Sequence, residues 1–150
     1  MPLTMRATQD LALLLCQAGA AIFLLLGVSH GVMTLLDLRR PQFFAPRDPR
    51  LIPALRQTSL GLSPKANFWR AWMGFNLSHS LGLVVFGGGL VYLSSAQGWE
   101  SSRGTLTAAS VVISVAYLIL AVRFWFPVPA IAIGASTLLL IASWLLGRNG

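Results

Sequence analysis

The chain has 150 residues, of which 55% are hydrophobic and only 10% are charged, whereas roughly a quarter of the residues of a soluble domain are charged. With a mean hydropathy of +0.71, this composition excludes a water-soluble fold and predicts an all-α integral membrane protein, a four-transmembrane-helix bundle forming a single membrane domain over residues 1–150. The formal net charge of +7 is concentrated in one connection, as membrane orientation requires, so the expected partner is the lipid bilayer and not nucleic acid.

The first predicted helix covers about residues 11–38, an apolar run that only a few polar side chains interrupt. It is longer than the roughly 20 residues that cross the hydrocarbon core, so it must tilt or project into the interface near Asp37. Gly27 and Gly31 flank His30 on this helix. Such a pair of small residues permits the close approach of another helix or of a flat ligand.

A long connection, residues 39–66, carries most of the positive charge. Its six basic residues are Arg39, Arg40, Arg47, Arg50, Arg56 and Lys65. Because Asp48 is the only acid among them, the positive-inside rule predicts that this long basic loop is cytoplasmic. The apolar spacing indicates an amphipathic interfacial segment over about residues 48–62, with Phe43 and Phe44 as membrane anchors. A solvated basic loop is the alternative.

Three further helices are predicted at about residues 68–93, 105–125 and 129–146. A short outer loop separates the first two, and a proline-rich turn separates the last two. Four spans place both termini on the same side of the membrane, which is the outside if the basic loop is inside. The expected location is the bacterial inner (cytoplasmic) membrane.

Several ionisable or strongly polar side chains fall within the predicted spans, namely His30, Asp37, Asn76, His79, Tyr117 and Arg123. Such residues are costly in hydrocarbon, by roughly 2.5–3.5 kcal/mol for a charge, and usually mark an interior site. At about 1.5 Å per residue, His30 and His79 both lie roughly 12–15 Å from the inner interface. At this common depth the two imidazoles could face each other, with Asn76 one turn before His79.

The first functional hypothesis is a site that binds or acts on a lipid-like or amphipathic small molecule. The histidines or Tyr117 would transfer protons, and Arg70 and Arg123 would clamp an anionic group at the inner interface. The predicted ligand-binding residues are His30, Asn76, His79, Tyr117, Arg70, Arg123 and Asp37. For the two arginines, snorkelling to the lipid headgroups is the alternative, and Asp37 could simply pair with a nearby arginine.

Three other interpretations are open. The histidines could only lock the helix register through hydrogen bonds. His30 and His79 could instead be the axial ligands of a b-type haem, with the neighbouring glycines admitting the porphyrin face. The chain could also be a non-catalytic accessory subunit of a larger membrane complex, or form a homo-oligomer, by offering Gly87–Gly88–Gly89 to a partner helix.

No metal site is expected from the sequence. The single cysteine, Cys16, excludes an internal disulfide and a cysteine-based zinc site. A mononuclear site built on the two histidines would need further ligands that only Asp37 or Asn76 could supply.

Overall fold

The computed structural model describes residues 3–96 and 99–148. Its elements in chain order are α1 (Leu3–Arg39), α2 (Leu51–Gln57), β1 (Ser59–Leu60), β2 (Ser63–Asn67), α3 (Phe68–Ser95), α4 (Trp99–Phe124) and α5 (Pro127–Arg148). Four of these helices, α1, α3, α4 and α5, are long and apolar enough to cross a membrane. The prediction of a helical membrane protein with four spans is therefore confirmed.

Two of the spans are longer than the sequence predicted. α1 begins at Leu3 instead of near residue 11, because neither proline nor glycine interrupts residues 3–10. α4 begins at Trp99 instead of near residue 105, so most of the predicted outer loop is helical. Glu100 in the first turn of α4 suits the positive end of the helix dipole.

The long connection contains less helix and more strand than the sequence predicted. α2 covers only seven residues, so the interfacial segment expected over residues 48–62 is helical for about half its length. β1 and β2 form an antiparallel hairpin, in which Ser59 is opposite Asn67 and Leu60 is opposite Ser63. Leu62 lies in the hairpin turn, where its side chain is 100% exposed. This hairpin is a departure from the all-α class.

The chain divides into two compact units. Unit 1 comprises Met1–Leu25 and Val84–Gly150, and unit 2 comprises Leu26–Leu83. α1 and α3 therefore each contribute one segment to each unit. Both histidines belong to unit 2.

In unit 1, α1 packs against α5 through small and hydroxyl-bearing residues. The Ser136 hydroxyl donates to the carbonyl of Gly19 (2.7 Å), and the Ser143 hydroxyl donates to the carbonyl of Ala12 (2.6 Å). All four residues are buried. Small residues and hydroxyl hydrogen bonds hold membrane helices together, because lipid tails provide no hydrophobic drive for the association of apolar helices.

The glycine run of α3 also packs inside unit 1. A Cβ atom built on Gly87 would lie 2.6 Å from the carbonyl oxygen of Ala20 and would meet the backbone of Leu24, both on α1. At Gly89, such a Cβ would meet no described atom within 4 Å apart from its chain neighbours and the backbone of its own helix. The Gly87 position is therefore taken by a contact within the unit and is not offered to a partner helix.

Candidate functional site

Unit 2 brings the two histidines into contact. The ring centroids of His30, on α1, and His79, on α3, are 5.2 Å apart, and the ring planes meet at 70°. Each imidazole is half-buried. The structure thus brings together the two rings that the sequence placed at the same depth.

Asn76 connects the two helices beside this pair. Its side chain is fully buried, and its Nδ2 donates to the carbonyl of Trp72 (2.8 Å), one turn earlier on α3. Because a carbonyl can only accept, the amide must present Oδ1 to His30, whose Nε2 lies 3.0 Å away. Nε2 of His30 is therefore assigned as a proton donor, which fixes the tautomer of the neutral ring.

Aromatic side chains form the walls of the site. The Phe44 ring lies against His30, with centroids 4.3 Å apart, and the Phe75 ring stacks on His79, with centroids 6.4 Å apart. Trp72 continues the second stack, since its ring lies 6.1 Å from that of Phe75. The imidazoles are thus polar groups bordered by apolar aromatic faces.

The small residues next to His30 serve the contact between helices. The Ser80 hydroxyl of α3 donates to the carbonyl of Gly27 (2.6 Å), and a Cβ built on Gly31 would lie 2.5 Å from the same hydroxyl oxygen. Gly27 and Gly31 could allow the close approach of either a helix or a flat ligand, and in the structure it is the helix α3 that approaches them. On α3, Gly74 and Ser78 are exposed, so they form no part of this contact.

Asp37 occupies a structural position: within the described residues its partners are backbone groups and not an arginine, and its role in ligand binding stays a prediction. Its carboxylate is fully buried and accepts the backbone N–H groups of Gln42 (2.8 Å), Phe43 (2.9 Å) and Phe44 (2.6 Å). The carbonyl of Phe44 in turn accepts the indole N–H of Trp72 (2.9 Å). Asp37 therefore holds the turn that places Phe44 against His30. Phe44 is a wall of the site, and its role as a membrane anchor stays a prediction.

The other predicted ligand-binding residues lie elsewhere in the chain. Arg70 is exposed at the start of α3, where its backbone N–H donates to the Asn67 side-chain oxygen (3.0 Å), an N-cap of that helix. Tyr117 and Arg123 belong to unit 1, and the Tyr117 ring meets the edge of Phe23 with centroids 5.6 Å apart. A role for these three residues in ligand binding stays a prediction.

The side chains of the site do not fit a b-type haem. Axial ligation places the iron and the porphyrin plane between two nitrogens that each present a lone pair. Here His30 and His79 are in edge-to-face contact, and Nε2–H of His30 donates a hydrogen bond to Oδ1 of Asn76. Ser80 also covers the glycines that were expected to admit the porphyrin. Within residues 3–96 and 99–148, no group of three or more His, Cys, Asp or Glu residues could hold a metal ion.

Three aromatic residues of the site were missed by sequence reasoning. Trp72 precedes Asn76 by four residues, and Phe75 precedes His79 by four, which is the spacing at which side chains meet on one face of a helix. That spacing was a usable signal. Phe44 had no comparable signal, because its position depends on the turn that Asp37 holds.

Four spans and a histidine pair within them define a small polytopic helical membrane protein with a polar site in one of its two units. No model of a protein family, no curated protein and no solved structure matches the chain. The chemistry of the site is therefore the ground for a functional proposal.

Proposed function

We propose that the His30–Asn76–His79 site binds the polar end of a lipid-like or other amphipathic molecule. The observation that carries this proposal is the contact between two imidazoles from different spanning helices, with ring centroids 5.2 Å apart. Ionisable side chains inside a membrane are costly and usually mark a functional site. A pair of them in contact supports such a site more strongly than either alone.

The surroundings of the pair suit a ligand with a polar head and an apolar tail. Both imidazoles are partly exposed. A protonated imidazole donates from both ring nitrogens, so it can hydrogen-bond to a carboxylate, phosphate or hydroxyl group, and histidine takes up this proton near neutral pH. Phe44 and Phe75 border the rings and offer apolar surface to the tail. The Asp37 carboxylate is occupied by backbone N–H groups, so the groups of the site support binding better than catalysis.

Replacing either histidine by alanine is expected to reduce ligand capture about tenfold, the effect of losing one hydrogen bond that involves a charged partner. The probe is a fatty acid with a photoreactive diazirine in its acyl chain, added to membranes that contain the protein. Labelling after irradiation is measured by mass spectrometry of the intact chain. His30→Ala and His79→Ala should both lose label, and peptide mapping of the wild-type protein should place the label near Phe44 or Phe75.

The matched controls for this experiment are Ser29→Ala and Ser78→Ala, which change exposed polar neighbours on the same two helices. They should label as the wild type does. Circular dichroism of the purified variants checks that helix content is retained. Undiminished labelling of both histidine variants would overturn the proposal, as would an equal loss in the serine controls.

We also propose that the connection between α1 and α3 faces the cytoplasm of a bacterial cell and that both termini face outward. The excess of basic residues in this connection supports the orientation, because positively charged loops are retained on the cytoplasmic side.

In a Cys16→Ser background, Leu62→Cys is expected to resist a membrane-impermeant thiol reagent in intact cells and to react after lysis. Leu62 suits the experiment because its side chain is fully exposed. Ser102→Cys, an exposed position one span further along the chain, is the matched control and should react in intact cells. The opposite labelling pattern would show that the connection between α1 and α3 faces outward and that the proposed orientation is wrong.

A further inference from the structure

A groove lies in unit 2 where α1 ends. Its volume is about 370 Å³, and it is lined by Leu36, Arg39, Arg40, Gln42 and Phe43. It therefore combines two guanidinium groups, one amide and two apolar side chains.

The two positive charges of the groove are not neutralised within the part of the chain that the structure describes. The acid of the same connection, Asp48, is paired with Arg50 at 2.9 Å, and this guanidinium holds the pKa of the Asp48 carboxyl below its usual value. Asp37, two residues before Arg39, is committed to three backbone N–H groups. Among residues 3–96 and 99–148, no ion pair includes Arg39 or Arg40.

The wall of the groove is held in place by the fold. The buried Asp37 carboxylate accepts the backbone N–H groups of Gln42 and Phe43 at 2.8 and 2.9 Å. These bonds tie the turn that carries Gln42 and Phe43 to the last turns of α1, which carry Leu36 and Arg39. The same hydrogen bonds therefore fix the backbone on which Gln42 and Phe43 stand.

We infer that this groove binds the phosphate group of an anionic phospholipid. Arg39 ends a membrane-spanning helix and Arg40 follows it, so their side chains reach the level of the headgroups. The planar guanidinium group of arginine matches two phosphate oxygens. Leu36 and Phe43 are each 48% exposed and offer an apolar surface to the start of an acyl chain. Basic pockets between membrane helices bind anionic lipid headgroups. In this groove, two apolar side chains lie next to the positive charges.

The test is a native mass spectrometry titration of the purified full-length chain in detergent. It compares phosphatidylglycerol with phosphatidylcholine of the same acyl chains. The double variant Arg39→Gln/Arg40→Gln is expected to lose the preference for phosphatidylglycerol by about tenfold or more, since each interfacial arginine contributes to attraction of an anionic lipid. The control Arg47→Gln/Arg56→Gln removes the same charge from exposed positions outside the groove and should keep most of the preference.

Two further arms separate the sources of binding. An excess of inorganic phosphate should leave phosphatidylglycerol bound, because the acyl chain contributes to affinity; its displacement would identify free phosphate as the ligand and overturn the inference. His79→Ala should keep the preference, which separates this site from the histidine site. If Arg47→Gln/Arg56→Gln lost as much of the preference for phosphatidylglycerol as Arg39→Gln/Arg40→Gln, the preference would come from overall charge, and the inference would also be overturned. Arg39→Lys/Arg40→Lys, which keeps the charge without the planar guanidinium group, is expected to bind with intermediate affinity.

Discussion

Asp37→Asn is expected to lower the free energy of unfolding by roughly 3 kcal/mol, because a hydrogen bond to a buried charged group contributes roughly 1.5–3 kcal/mol. The carboxylate accepts three backbone N–H groups, two at Oδ1 and one at Oδ2. An asparagine amide would place its NH2 group against at least one backbone N–H. Two donors would then face each other, and neither would have an acceptor in this buried position. Unfolding by denaturing detergent in mixed micelles measures the change.

Hydrogen exchange gives a local readout of the same substitution. The amides of Gln42, Phe43 and Phe44 should lose protection in Asp37→Asn, since each donates to the replaced carboxylate. Asp48→Asn is the matched control, because its carboxylate bonds mainly to exposed Arg50 at the surface, where an ion pair contributes little. Unaltered protection of the three amides in Asp37→Asn would refute the structural role given to this carboxylate.

Gly87→Ala is expected to destabilise unit 1 by about 1–3 kcal/mol, the usual cost of inserting a methyl group into a closely packed contact. The added Cβ would lie 2.6 Å from the carbonyl oxygen of Ala20 and against the backbone of Leu24. Backbone atoms cannot rotate away as a side chain does, so α1 and α3 must separate locally. Thermal unfolding in detergent, followed by circular dichroism, measures the loss.

Gly89→Ala supplies the matched control for this prediction. It makes the same chemical change two residues later on α3, where the new Cβ would meet no described atom within 4 Å apart from its chain neighbours and the backbone of its own helix. Alanine also favours a helix over glycine by about 1 kcal/mol, so Gly89→Ala should be neutral or stabilising. If both variants lost the same stability, close packing at Gly87 would not be the cause.

The spans could be predicted from the sequence because hydropathy and length determine which segments cross a membrane. The common depth of His30 and His79 could be anticipated from rise per residue, since both lie at similar distances from the same interface. This estimate needs no knowledge of rotation about either helix axis. The rotation of α3 about its axis is set by side-chain packing and could not be obtained from the rise per residue. It turns Asn76 and Ser80 towards α1 and leaves Gly74 and Ser78 exposed.

The function of Asp37 could not be predicted for a different reason. A carboxylate near several arginines suggests an ion pair, yet its partners are backbone groups, which every residue carries and no sequence pattern reveals. The hairpin Ser59–Asn67 was missed because its strands have two and five residues. Alternating hydrophobicity cannot be recognised over so few positions.

The hydrogen bonds of Asp37 also bear on the order in which the chain is built. Its three partners follow it by five, six and seven residues, a stretch that a ribosome adds in about a second at roughly 5–20 residues per second. The His30–Asn76 contact spans 46 residues and has to wait for α3 to be synthesised. The carboxylate near the end of the first span can therefore be satisfied by residues that leave the ribosome directly behind it, whereas the histidine pair cannot form until α3 has also left the ribosome.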